Sequence, residues 1–125
     1  MKILTLKQPW ATLIAEGYKK YEFRTWKTKY RGECLIHAGK GIDRAAMKRF
    51  ASLPLDYPKS RILAKVVITD CVALDAEKNR EIGSQNPEIY GTIEDRTGYA
   101  WKLDQIEKVQ SDVIVSGKLG LWDYP

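Results

Sequence analysis

The sequence predicts a single α+β domain over residues 1–125, built on a barrel-like, mostly antiparallel sheet of about five or six strands flanked by short helices. Three observations carry this. The chain has 125 residues, 44% apolar and 30% charged, a mix that buries one modest core. Short alternating stretches suited to strands are separated by short helical ones, at spacings too irregular for a parallel βαβ array. No internal repeat, low-complexity tract or linker divides the chain.

Lys2-Ile3-Leu4-Thr5-Leu6 alternates as a first strand. Gln8-Pro9-Trp10 starts a helix, because proline at the first helical position gives up no useful N–H. Trp10, Leu13 and Ile14 recur at i, i+3, i+4, which buries one face of residues 9–16, and Gly17 stands where a left-handed C-cap belongs. Tyr21 to Trp26 alternates aromatic with polar. It reads as a strand with Tyr21 and Phe23 in the core and Lys20, Glu22 and Arg24 on a wet face. Lys29 to Gly32 forms a turn, Glu33 to Ala38 a core strand, and Gly39-Lys40-Gly41 a flexible break. Asp43 N-caps a helix through Ala46, Met47, Phe50 and Ala51. Pro54 and Pro58 bracket a loop, and Arg61 to Leu74 is the longest strand signal. Asp75 to Ile82 reads as a short polar helix, and residues 83–98 as mostly loop. Tyr99 to Leu103 alternates again with Ile106 out of phase, which places a bulge near Gln105. A turn at Gly117 to Gly120 leads into a last strand at Leu121-Trp122.

No apolar run approaches the roughly 18–20 residues of a membrane span. Met1 to Lys7 is too short and too soon recharged for a secretory signal, so the expected compartment is the cytoplasm. Cys34, Cys71 and His37 are the only cysteines and histidine, short of the four ligands of a structural zinc site. No metal and no cofactor is expected. Both cysteines lie in apolar stretches and read as small buried residues with free thiols. His37, alone in an apolar strand, reads as a packed, hydrogen-bonded residue.

The net charge of +5 is uneven. Residues 1–50 hold twelve Lys/Arg against four Asp/Glu, and residues 51–125 hold nine against twelve. Six of the bases (Lys19, Lys20, Arg24, Lys27, Lys29 and Arg31) fall within thirteen residues, with Glu22 the one acid among them. Tyr18, Tyr21, Phe23, Trp26 and Tyr30 interleave with them. Cations neutralise phosphates and flat side chains stack unstacked bases, each worth about 1–3 kcal/mol, so this pattern suits single-stranded nucleic acid as well as a solvated basic face. Glu22, between Lys19 and Arg24, is either part of a structural ion pair or a positioned acid/base group.

These residues carry a resemblance. Leu6-Lys7-Gln8-Pro9-Trp10-Ala11, followed by Gly17-Tyr18-Lys19-Lys20-Tyr21-Glu22-Phe23-Arg24, resembles the ASCH (activating signal cointegrator homology) domain of the PUA-like superfamily. Its signature is a QPWA-type helix start followed by GxKxxExR. Arg24-Thr25-Trp26, Lys29 to Gly32, Leu35 to Ala38, Ile68 to Val72 and Gly120-Leu121-Trp122 continue the likeness over nearly the whole chain. The resemblance implies a PUA-like β-barrel with a basic cleft over the motif, binding RNA or other single-stranded nucleic acid, or a nucleotide. The implied binding residues are Gln8, Trp10, Lys19, Glu22, Arg24, Trp26, Lys27, Lys29 and Arg31.

It also implies an alternative. One branch of the family removes the acyl group of N4-acetylcytidine, with a nucleophilic threonine where this chain has Glu22. Another is associated with ribonuclease activity. In a hydrolase of that kind Lys19 and Glu22 would be the acid/base pair, and Glu88 or Glu94 the candidate for a second carboxylate. No activated hydroxyl stands beside Lys19, which argues against the amidase.

Overall fold

In the computed structural model, which describes residues 1–125, the alternating segments pair into one six-stranded sheet. The strands are β1 (Lys2–Gln8), β2 (Tyr21–Arg24), β3 (Gly32–Ile42), β4 (Arg61–Ala73), β5 (Tyr99–Lys108) and β6 (Leu121–Asp123), in the order β2-β5-β4-β3-β1-β6. β1 runs parallel to β3, and the other four pairings are antiparallel. Four helices lie between strands: α1 (Trp10–Ala15), α2 (Arg44–Arg49), α3 (Ala76–Gln85) and α4 (Pro87–Tyr90). The class is α+β, as the alternation predicts. The sheet does not close, since β2 and β6 are its edges, but it curls strongly. Arg24 Nη2 on one edge reaches the Thr5 carbonyl on β1, beside the other edge, at 3.0 Å. The result is a barrel-like sheet with one gap.

Period-two alternation fills the concave side. Leu4 and Leu6 from β1, Cys34, Ile36 and Ala38 from β3, Ala64, Val66 and Ile68 from β4, and Trp101 and Leu103 from β5 form one buried cluster with Ala11, Ile14 and Ala15 of α1. A second cluster joins Leu13 to Phe50, Ile82, Ile89, Tyr90 and Ala100. Because α1 sits between the two, residues 11–15 are all buried, and the one-sided amphipathic helix expected from sequence is buried all round.

The local signals hold in several places. Asp43 Oδ1 accepts from Ala46 N–H at 3.1 Å, capping α2. Gln105, at φ +49°, marks the bulge where β5 slips against β4. One expectation fails and a second holds only in part. Gly39 and Gly41 continue β3 instead of breaking it, because a Cβ on Gly39 would come within 2.9 Å of Thr5 Cγ2 on the parallel neighbour. Residues 83–98 are not mostly loop at their start: α3 extends to Gln85, and Pro87 at the first turn begins α4.

Candidate functional site

α1 ends at Gly17, whose φ of +83° needs no Cβ. Gly17 N–H donates to the Ile14 carbonyl at 3.0 Å and Tyr18 N–H to the Leu13 carbonyl at 2.9 Å, the paired closure of a Schellman end. Lys19 N–H then donates to the same Leu13 carbonyl at 3.1 Å, which holds residue 19 against the helix. Tyr90 Oη accepts from the N–H groups of Lys20 and Tyr21 at 2.7 and 3.2 Å and so clamps the entry to β2. Burial pushes the Tyr90 hydroxyl above its ordinary pKa.

Of the expected wet face, Lys20, just before β2, is exposed and Arg24 is half-buried, but Glu22 is buried, contrary to the alternation argument. Glu22 pairs in register with Trp101 of β5, and directly opposed residues share a face. Trp101 is fully buried on the concave side, so Glu22 points inward with it and is only 8% exposed. Tyr21 and Phe23 face Tyr90 on the other side, edge to face at 6.2 and 5.9 Å. The sequence cannot show which side of an edge strand the sheet curls toward.

Lys19 is 2% exposed and donates Nζ to Glu22 Oε1. Arg24 Nε stands 3.5 Å from Glu22 Oε2 without hydrogen-bond geometry, while its Nη2 holds the Thr5 carbonyl. The Lys19 ammonium also lies 5.0 Å from the Trp10 ring centroid and 5.3 Å from that of Phe23. Burial lowers the Lys19 pKa, and the Glu22 charge and hydrogen bond oppose it without cancelling it. The signature lysine, glutamate and arginine therefore converge as one charge cluster, two cations around one carboxylate.

Lys19 and Glu22 line a cavity of about 300 Å³, the small end of the roughly 300–1,000 Å³ typical of ligand sites. Trp10, Phe23 and Tyr90 give it flat faces, and Ile89 and Ile93 aliphatic ones. Arg49 and Arg96 add two further cations. This is space for one planar ring among aromatics, with a donor and an acceptor at hand. A larger cleft of about 1,070 Å³ lies between residues 54–58 and the end of β5, away from this cluster. Buried charge and aromatic faces make the smaller cavity the better candidate.

The remaining expected site residues fall elsewhere. Gln8 is fully buried; its amide donates to Thr12 Oγ1 and the Pro58 carbonyl at 2.8 and 2.7 Å and accepts from Thr12 N–H. Trp26 is 39% exposed and packs edge-on against Trp101. Lys27 and Lys29 are both exposed at the surface, and Arg31 donates to the Thr28 and Tyr30 carbonyls and pairs with Asp70 at 3.8 Å. None of these five lines the cavity. Nor do Glu88 and Glu94; Glu94 pairs with Arg80 at 3.6 Å. His37 is buried between Thr5 Oγ1 at 3.1 Å and the Val115 carbonyl at 2.6 Å. That carbonyl accepts only, so Nε2 carries the proton and Thr5 donates to Nδ1. Sequence reasoning missed Arg49, Tyr90 and Arg96, which reach the cavity from α2, α4 and the following loop with no local pattern to mark them.

The model of the ASCH domain family matches residues 4–113, nearly the whole of this architecture and all of the Lys19–Glu22–Arg24 cluster. The chain belongs to the ASCH domain family. Among the relatives of this ASCH domain, mouse activating signal cointegrator 1 is 31% identical over 98 residues, covering 69% of this chain and 16% of that protein. The human protein of the same name is 29% identical over a stretch of the same extent. The match thus spans about a sixth of those relatives' length. An ASCH protein of Zymomonas mobilis has the same fold at 14% identity, with a TM-score of 0.58 over 92% of this chain and 72% of that one. A single-residue mutant of that Zymomonas protein aligns with a TM-score of 0.57 at 15% identity, over 87% and 72% of the two chains. No helix of the ASCH domain described here is long and apolar enough to cross a membrane.

Proposed function

We propose that this chain is a binding module for RNA or other single-stranded nucleic acid that takes one unstacked base into the Lys19–Glu22 cavity. The observation that carries this is a buried, compensated Lys–Glu pair in an aromatic-lined space of about 300 Å³. A planar heterocycle presents donors and acceptors at its edge and π faces above and below, and this lining answers both. Trp10 and Phe23 would cover the ring, while Glu22 would accept from a base amino group and Lys19 donate to a ring acceptor. Arg24 would hold Glu22 in place. Outside the cavity Lys27, Lys29 and Arg31 would contact phosphates and Trp26 would stack a neighbouring base. The basic excess of residues 1–50 would steer the approach of the strand, in the cytoplasm.

Anisotropy of a labelled single-stranded RNA of about ten nucleotides, within the site sizes of such modules, tests the reading. The expected result is affinity that falls from low to moderate salt, with a matched duplex binding more weakly because its bases are stacked away. Undetectable binding at low salt, or equal affinity for the duplex, overturns it.

One observation favours a hydrolase acting on a modified nucleoside or on RNA: a buried lysine, its pKa lowered by burial, stands in hydrogen-bond contact with the carboxylate of Glu22 at an open cavity. Against it, Tyr90 is the one hydroxyl lining the cavity, and Thr25 is exposed outside it. This reading expects turnover of acylated pyrimidine nucleosides or short RNAs that Glu22→Gln abolishes; absence of turnover in the unaltered protein ends it.

A further inference from the structure

The geometry points to a phosphate subsite formed by Arg49 and Arg96 at the Lys19–Glu22 cavity, so that its ligand is a nucleotide unit and not a free base or nucleoside. This rests on the base-binding reading and adds to it the group that the two arginines would hold.

Both arginines line the cavity, and neither is paired with a carboxylate. They are held by consecutive carbonyls at the end of α4. Arg49 Nη2 donates to the Glu88 and Ile89 carbonyls, the latter at 3.0 Å, and Arg96 Nη2 donates to the Tyr90 carbonyl at 3.0 Å. Each guanidinium is also stacked, Arg49 at 4.6 Å from the Phe50 centroid and Arg96 at 4.0 Å from that of Phe23. Asn79 fixes the loop that carries Arg96, donating to the Glu94 and Arg96 carbonyls at 3.0 and 2.8 Å. Two like charges are thus built into one place. Burial, and then the Arg49 charge, draw the Arg96 pKa below its ordinary value.

The cavity lining holds three cations and one acid, and Glu22 is already committed to Lys19 and Arg24. An anion is the missing partner. A guanidinium has five N–H donors, and the carbonyl contacts use only Nη2 on each. Nε and Nη1 remain on both, a fork suited to phosphate oxygens. The phosphate would lie beside the cavity that takes the base, as in one nucleotide unit.

The side-chain Nε–Hε signals of Arg49 and Arg96, followed by nuclear magnetic resonance, give a direct reading. Inorganic phosphate should shift both signals saturably, and acetate at the same concentration should shift them less, because it brings a smaller charge and fewer oxygens. No phosphate shift, or an equal shift with acetate, overturns the subsite whatever the fate of the base reading. Titrations with the four ribonucleosides and their 5′-monophosphates separate the two claims. The subsite predicts that a monophosphate binds tighter than its nucleoside by about ten- to a hundredfold, and that Arg96→Gln brings this ratio close to one, the ratio and not the nucleoside affinity being the readout because Arg96 also lines the base cavity. Nucleoside binding with no gain from phosphate overturns the subsite and leaves the base cavity standing. Phosphate shifts without nucleoside binding uphold the subsite and overturn the base cavity. Arg96→Lys, which keeps the charge and loses the fork, guards against misfolding; it should retain only part of the gain, and retention of all of it contradicts the bidentate site.

Discussion

At the scale of single residues, the site rests on an ionic pair of a kind that folded chains ordinarily keep wet. Lys19 and Glu22 are both buried, and each is tolerated because the other, Arg24 and the faces of Trp10 and Phe23 offset its lost hydration. Removing one member leaves an uncompensated buried charge. Glu22→Ala should therefore destabilise the domain by about 3–5 kcal/mol in chemical denaturation. The joint change Lys19→Met with Glu22→Leu should cost less than Glu22→Ala alone, since it removes both charges and keeps the volume. A larger cost for the double change would show that the pair is favourable beyond mutual compensation.

At the scale of elements, the site depends on how β2 is attached. Gly98, at φ +96°, lies where β5 begins, and a Cβ there would come within 2.6 Å of the Arg24 carbonyl. Gly17 also has a positive φ, +83°, but nothing stands within 4 Å of its missing Cβ. Gly98→Ala should consequently lose more stability than Gly17→Ala, which carries only the left-handed backbone cost of about 1–2 kcal/mol; equal losses in denaturation would contradict the close packing of β2. What could be read in advance follows the same local-against-tertiary division. The Asp43 cap, the Gly17 end of α1 and the Gln105 bulge are decided by a few neighbouring residues, and their signals were legible. The burial of Glu22 was not, because alternation gives two faces without saying which one a curled sheet encloses. The roles of Gly39 and Gly41 depend on the neighbouring β1, and those of Arg49, Tyr90 and Arg96 on the packing of α2 and α4 over β2. The motif lysine, glutamate and arginine could be picked out, but not the aromatic cavity around two of them.

At the scale of the whole molecule, two buried clusters joined by α1 support the sheet and the site. Cys34 is fully buried in the larger cluster, and burial pushes its thiol from the ordinary 9.0 up to about 12. The unfolded chain then releases this proton at lower pH than the folded one. The contribution is fully present below pH 9.0 and is lost as pH rises toward 12, at no more than about 1.4 kcal/mol per pH unit. Tyr90 acts in the same sense above 10.0, and Lys19, with its pKa lowered, in the opposite sense below 10.5. The difference between the unaltered protein and Cys34→Ala isolates the thiol and should shrink steadily above pH 9.0; a constant difference would contradict the buried thiol.

A base entering the cavity would meet Glu22, so the affinity of Glu22→Gln for single-stranded RNA decides whether one enters. The change keeps size and an acceptor oxygen but removes the charge that holds Lys19 and Arg24. With the fold confirmed by circular dichroism, the expected result is a loss of about ten- to a hundredfold in affinity that persists at moderate salt. Unchanged affinity in the folded variant would place the nucleic acid elsewhere on the surface and leave the cavity without a base.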